Sequence, residues 1–171
     1  QYNNITGASN DSFIGGGIRN NINDSPESSI LGGQSNTLRD SEYTFMGGGI
    51  FNYSTDADES VIVGGSTNNI DLSEHAAILG GESNLIFDAS ESAIVGGRFN
   101  IIEHKNVGSN ADYSFIGGGK YNRIYSSLNG ETGPSNYSAI TGGEGNLIEN
   151  SAFSFIGGGE DNEIYSYSNH S

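Results

Sequence analysis

Apolar residues recur in this chain at two fixed places in a repeat of 16 residues. The repeat can be counted from the first glycine of each Gly-Gly pair: Gly16, Gly32, Gly48, Gly64, Gly80, Gly96, Gly118, Gly142 and Gly158. An Ile or Met stands two residues before each of these glycines. An Ile or Leu stands six residues after each, with Ser54 the single departure. Six of the eight gaps are 16 residues and the other two are 22 and 24, so the period persists through two insertions. The apolar runs are short and β-branched, as in Val61-Ile62-Val63, which predicts strands and leaves no room for a helix. The glycine pair permits a corner with positive φ. An Asn four residues after the first glycine marks another corner, because Asn tolerates left-handed geometry and bonds nearby backbone.

A period this regular predicts stacked coils. The expected fold is all-β, a parallel β-solenoid (β-roll) of 16-residue coils with two short strands each, covering 1–171 as one repeat domain. About nine coils are expected, with partial coils at both ends and loop insertions at 103–113 and 125–137. At a spacing of about 4.8 Å per coil the rod would be roughly 43 Å long. Stacking in register places Asn20, Asn36, Asn52, Asn68, Asn84, Asn100, Asn122, Asn146 and Asn162 above one another as a structural ladder. Both chain ends fall in phase with the repeat. The expectation is therefore that more repeats flank this piece or that subunits join end to end through open strand edges.

Alternation directs the two invariant apolar columns inward. The positions one and three before the glycine then point outward, yet they are apolar or small and vary together in volume. Phe13, Phe45, Phe115 and Phe155 are each followed two residues later by glycine, whereas Leu31, Val63, Leu79 and Val95 follow Ser29, Val61, Ala77 and Ala93. A packed interface is sensitive to single methylenes and a solvated face is not. The expectation is that Phe13, Leu31, Phe45, Val63, Leu79, Val95, Phe115 and Phe155 face other copies of the chain. A homotrimer closes such faces most naturally, with a dimer left open.

Composition narrows the functional classes. The net charge is −15 with six Lys and Arg in 171 residues, which disfavours nucleic acid and anionic membrane surfaces as partners. No apolar run approaches the ~20 residues of a membrane span, so no membrane insertion is expected. There is no cysteine for disulfides or thiolate metal sites. No nucleophile–base set or metal-ligating His cluster is evident among the three histidines, which are expected in turns or at the terminus. The chain is accordingly expected not to be an enzyme.

Two features carry candidate chemistry. Asp24, Asp40, Asp56 and Asp88 share one phase of the repeat. Stacked carboxylates are stable when solvated and screened, or when a cation bridges them, and Ca²⁺ suits such oxygen-rich clusters. The two insertions enter the same turn on consecutive coils and would form one lateral knob. Long loops on rigid scaffolds often bind partners, and His104, Lys105, Asn106, Asn129, Glu131 and Tyr137 are the candidate ligand residues there.

The segments Ser12-Phe13-Ile14-Gly15-Gly16-Gly17 with Asn20 and Ile22, and Ser154-Phe155-Ile156-Gly157-Gly158-Gly159 with Asn162 and Ile164, carry a resemblance. They resemble IGGGxxNxI-type repeats of phage tail-fibre and related virion proteins, and β-roll head repeats of trimeric autotransporter adhesins. The doubled glycine and 16-residue period differ from the shorter, single-glycine autotransporter repeat, so the likeness is nearer the wider fibre group. The resemblance covers about residues 3–168 as a repeat style. It implies an extracellular, cell-surface or virion-attached trimeric fibre segment, structural and adhesive, mediating surface or host attachment. A cell-surface glycan or protein would be its receptor. The alternative is a purely structural filament subunit that polymerises without a ligand.

Overall fold

The structure, a computed structural model, describes residues 2–104, 111–126 and 134–165. Every regular element among them is a β-strand. The strands form two parallel sheets, and the chain passes from one to the other in turn. The first sheet has ten strands, from Asn4–Thr6 to Glu163–Tyr165. The second has nine two-residue strands, from Phe13–Ile14 to Phe155–Ile156. A third column of single parallel bridges runs from Ile18 through Gln34, Ile50, Ser66, Glu82, Arg98, Lys120 and Glu144 to Glu160. Register follows the repeat: Ile78 pairs with Ile62 and Ile94, and Ile86 with Ile70 and Ile102. The chain is thus a parallel β-solenoid of about nine coils.

The corners are more strained than their composition suggests. Twenty-three non-glycine residues have positive φ, near 47–58°. They fall into three columns, exemplified by Ser35, Asp40 and Tyr43. Left-handed geometry is uncommon outside glycine, Asn and Asp, yet Phe51, Leu72, Phe99 and Phe153 adopt it. Local preference does not explain this. All of these corner residues but Asp11 and Arg19, in the first coil, hydrogen-bond through the backbone N–H to a carbonyl of the preceding coil, as Tyr43 N–H does to Pro26 O and Phe51 N–H to Gln34 O. Stacking therefore imposes the bend. At the second glycine of every pair but the last the constraint is absolute: a Cβ on Gly33 (φ 86°) would overlap the Gly49 carbonyl of the next coil.

The core is richer than two columns. The two invariant apolar columns are inward, and Ile30, Leu38, Met46, Ile62, Ile70, Ile78, Ile86, Ile94 and Ile102 are fully buried. Two further columns of small residues join them. One runs Ser25, Ser41, Ala57, Ser73, Ala89, Ala111 and Ser135; the other runs Ser28, Thr44, Ser60, Ala76, Ser92, Ser114 and Ser138. Their hydroxyls take over backbone pairing between coils. Ser28 Oγ donates to Ser41 O at 2.7 Å and accepts from Thr44 N–H at 2.9 Å. These columns are legible as Ser, Thr or Ala seven and four residues before the first glycine of a pair, a signal too small in volume to be read as core.

The Asn ladder forms the fifth inward column. Asn68 is representative: its Nδ2 donates to Gly64 O of its own coil at 3.0 Å and to Gly81 O of the next at 3.1 Å. Its Oδ1 accepts the backbone N–H of Asn84 at 3.1 Å. The ladder begins one coil earlier than the glycine pairs indicate, because Asn3 Oδ1 accepts from Asn20 N–H at 3.1 Å. Eight of the nine repeat Asn residues are buried, and Asn162 is exposed.

Candidate functional site

Three surfaces carry the candidate residues: the outer face of the nine-stranded sheet, the acidic corner, and the roots of the insertions. On the sheet face, Phe13, Leu31, Val63, Leu79, Val95, Phe115 and Phe155 are between 38% and 64% exposed, and Phe45 is half-buried. Together they make an apolar stripe along that sheet. Their volume covariation has an origin inside each coil. The Phe13 ring leans over Gly15, where a Cβ would come within 3.2 Å of ring carbon Cε1. The same holds for Phe45 over Gly47 and Phe115 over Gly117, at 3.5 and 3.3 Å. In these coils a Cβ on the glycine would also collide with the next coil's carbonyl, that of Leu31, Val63 or Thr141. At Gly15, Gly47 and Gly117 the next coil's carbonyl thus leaves no room for a side chain, while at Gly157 only the Phe155 ring is near, at 3.5 Å. The exposed stripe itself remains, and it is aligned along one face rather than scattered singly over the surface.

In the acidic corner, Asp24, Asp40, Asp56 and Asp88 share left-handed geometry, with φ of 47–48°. Asp24 accepts from Ala8 N–H at 2.8 Å and from Asn23 Nδ2 at 2.6 Å. Asp40 lies 3.7 Å from Arg39 Nε. Leu72 occupies the same corner between Asp56 and Asp88, so the acids do not form an unbroken column. Among the described residues no three His, Cys, Asp or Glu side chains are grouped to hold a metal ion. Asp71, at the neighbouring strand end, has its carboxyl held above the usual range, first by burial and then by the Asp56 charge.

The insertion roots are adjacent, as consecutive coils require. Strands Ile101–His104 and Arg123–Ser126 pair with each other and are each one residue longer than the other strands of their sheet, and His104 pairs in register with Ser126. The chain rejoins the ladder where Asp112 N–H donates to Asn136 Oδ1 at 3.1 Å. His104 is not in a turn: it ends a strand, is 6% exposed, and its Nδ1 is 2.8 Å from Asp88 Oδ2. The carboxylate can only accept, so Nδ1 carries the proton. Residues 103, 104, 125 and 126 are thus ladder residues rather than loop. Lys105, Asn106, Asn129 and Glu131 lie outside the described residues.

Beside His104, Glu103 is almost buried and accepts from Arg123 Nη2 at 2.9 Å. The Arg123 guanidinium sits 4.8 Å from the Tyr125 ring centre. Burial and a hydrogen bond to Glu149 raise the Tyr125 phenol above its ordinary range. The sequence does not display this cluster, because its members come from separate coils and meet only through stacking.

Tyr137 occupies a second left-handed corner, half exposed, in a stack of aromatic rings. Its centroid is 4.8 Å from that of Tyr113 and 5.0 Å from that of Phe153, with planes within 7° of parallel. Earlier coils place Glu27, Tyr43, Glu59, His75 and Glu91 at this corner. No protein-family model matches the chain, and no curated protein matches it in sequence.

Proposed function

We propose that this chain is a structural and adhesive segment of an extracellular or virion fibre. Three parallel copies cover one another's apolar sheet faces, and the paired insertions contact a cell-surface glycan or protein. No catalysis is part of this reading. The observation that carries it is the apolar stripe aligned along the outer face of the nine-stranded sheet. Burying such a stripe is worth about 25 cal/mol per Å², and a sister chain offers the matching length and rise. The net charge of −15 fits a neutral or cationic receptor rather than a polyanion. The insertions support the adhesive part because they interrupt an otherwise even repeat and their roots are fixed side by side.

Light scattering on the intact chain tests the assembly. A mass near three times 17.9 kDa is expected, and a monomer at all concentrations refutes it. Glycan-array and cell-binding assays test adhesion. Deleting 105–110 should spare the assembled mass and weaken attachment, and unchanged attachment removes the insertions from the site.

A further inference from the structure

The corner that carries Tyr137 changes chemistry along the rod while its geometry stays constant. Glu27, Tyr43, Glu59, His75, Glu91, Tyr113, Tyr137 and Phe153 all have φ between 51° and 58°, so each side chain projects in the same direction from its coil. In the earlier coils the column is mostly charged, with His75 Nε2 3.2 Å from Glu59 Oε2 and Tyr43 an isolated ring between two glutamates. In the last three coils it is aromatic without a break, and Tyr113, Tyr137 and Phe153 are 45%, 51% and 79% exposed. These rings lie two residues from Phe115, Ala139 and Phe155, so the apolar stripe widens there to two columns over consecutive coils.

Area makes that widening matter. The sheet stripe spans nine coils and about three residues, a plane of roughly 400 Å². A stable interface needs about 800 Å² per partner. Three half-exposed aromatic rings add roughly 300 Å², since each carries about 150–250 Å² when buried. In the earlier coils, packing copies together would instead bring Glu27, Glu59 and Glu91 of different chains near one another, where like charges repel.

Resting on the trimer reading above, we infer that the stacked edge Tyr113–Tyr137–Phe153 is a clamp for a second copy of this chain. Association nucleates at these coils and closes toward the acidic ones. Tyrosine is among the residues that dominate interface energies when desolvated, and a prestacked ring loses little side-chain freedom on docking.

The test compares full-length variants by light scattering over a dilution series, with circular dichroism to check strand content. Tyr113→Ser/Tyr137→Ser/Phe153→Ser should raise the concentration at which the trimer dissociates at least about 100-fold, as expected for loss of an interface hot spot. Phe13→Ser/Phe45→Ser, at the other end, should raise it less than about tenfold, as expected outside such a hot spot. Glu27→Ser/Glu59→Ser should leave it unchanged or lower it. Tyr137→Phe, which keeps the stack, should behave as wild type; this guards against reading a misfolded triple variant as a dissociated one. A wild-type monomer refutes the trimer reading itself. A wild-type trimer that the aromatic substitutions leave intact, or that both ends weaken equally, overturns the clamp alone. Loss of glycan binding at unchanged assembly also overturns it, because the edge would then serve a receptor.

Discussion

Replacing Asn68 by Asp changes one nitrogen to oxygen and almost nothing in volume, which isolates the hydrogen bonds of the ladder from its packing. The Nδ2 of Asn68 faces two carbonyl oxygens, those of Gly64 and Gly81, at 3.0 and 3.1 Å. Gly81 O also accepts from Ser66 N–H, so it keeps one partner, whereas the bond to Gly64 O has no such reserve. An ionised carboxylate introduced here would have no access to solvent and would set one oxygen against those two carbonyls. Protonated, it donates to one of them and loses only the other bond, about 1 kcal/mol.

The fold must therefore raise the pKa of the introduced carboxyl above its unfolded value. A raised acid binds more protons folded than unfolded, so stability falls as pH rises from the unfolded value near ~3.9 toward the folded one. The slope approaches about 1.4 kcal/mol per pH unit. Urea unfolding between about pH 3 and pH 8 should show N68D near wild type at the acid end and about 3–5 kcal/mol weaker at neutral pH. N68A orphans Asn84 N–H and Gly64 O and should lose about 2–6 kcal/mol without that pH slope. Asn162 is exposed and donates to Gly158 O of its own coil and to Asn146 Oδ1, with no coil above it among the described residues, so N162D should cost much less. An N68D protein as stable as wild type at neutral pH, or a loss independent of pH, would refute the account of the ladder.

Two further predictions concern single columns. Ser54 is fully buried between Leu38 and Ile70, and its hydroxyl has no hydrogen-bond partner among the described residues. In the same coil the other inward column holds Met46, the chain's one methionine. S54I with M46I restores the pair of large branched residues found in the other coils and should stabilise the fold by about 2–4 kcal/mol in urea unfolding; a loss would mean that Met46 already fills the space. Asp71 has its carboxyl raised by burial and by Asp56, so its ionisation opposes folding above the ordinary carboxylate range. D71N should raise the melting temperature at neutral pH, and the gain should vanish near about pH 3, below the unfolded value; a gain equal at both pH values would show that packing, not charge, is responsible.

The repeat alone determined the path of the chain. Ile at two before the glycine and Ile or Leu at six after it can share one interior only if coils stack, and the Asn column follows from in-register stacking. The placement of the insertions at neighbouring roots followed from the same arithmetic. Tertiary contact decided the rest. Ser28 and Ser41 became core because a hydroxyl of one coil meets a carbonyl of the next, a relation that short-range pattern does not display. His104 became a buried strand end because Asp88, 16 residues away, lies beside it. The glycines of the Phe–Gly pairs read in sequence as room made for a ring, and the structure shows Gly15, Gly47 and Gly117 closed to any side chain by the next coil's carbonyl. Periodicity fixes which residues share a column; how far a side chain leans, and what it then touches, depends on the atoms of adjacent coils.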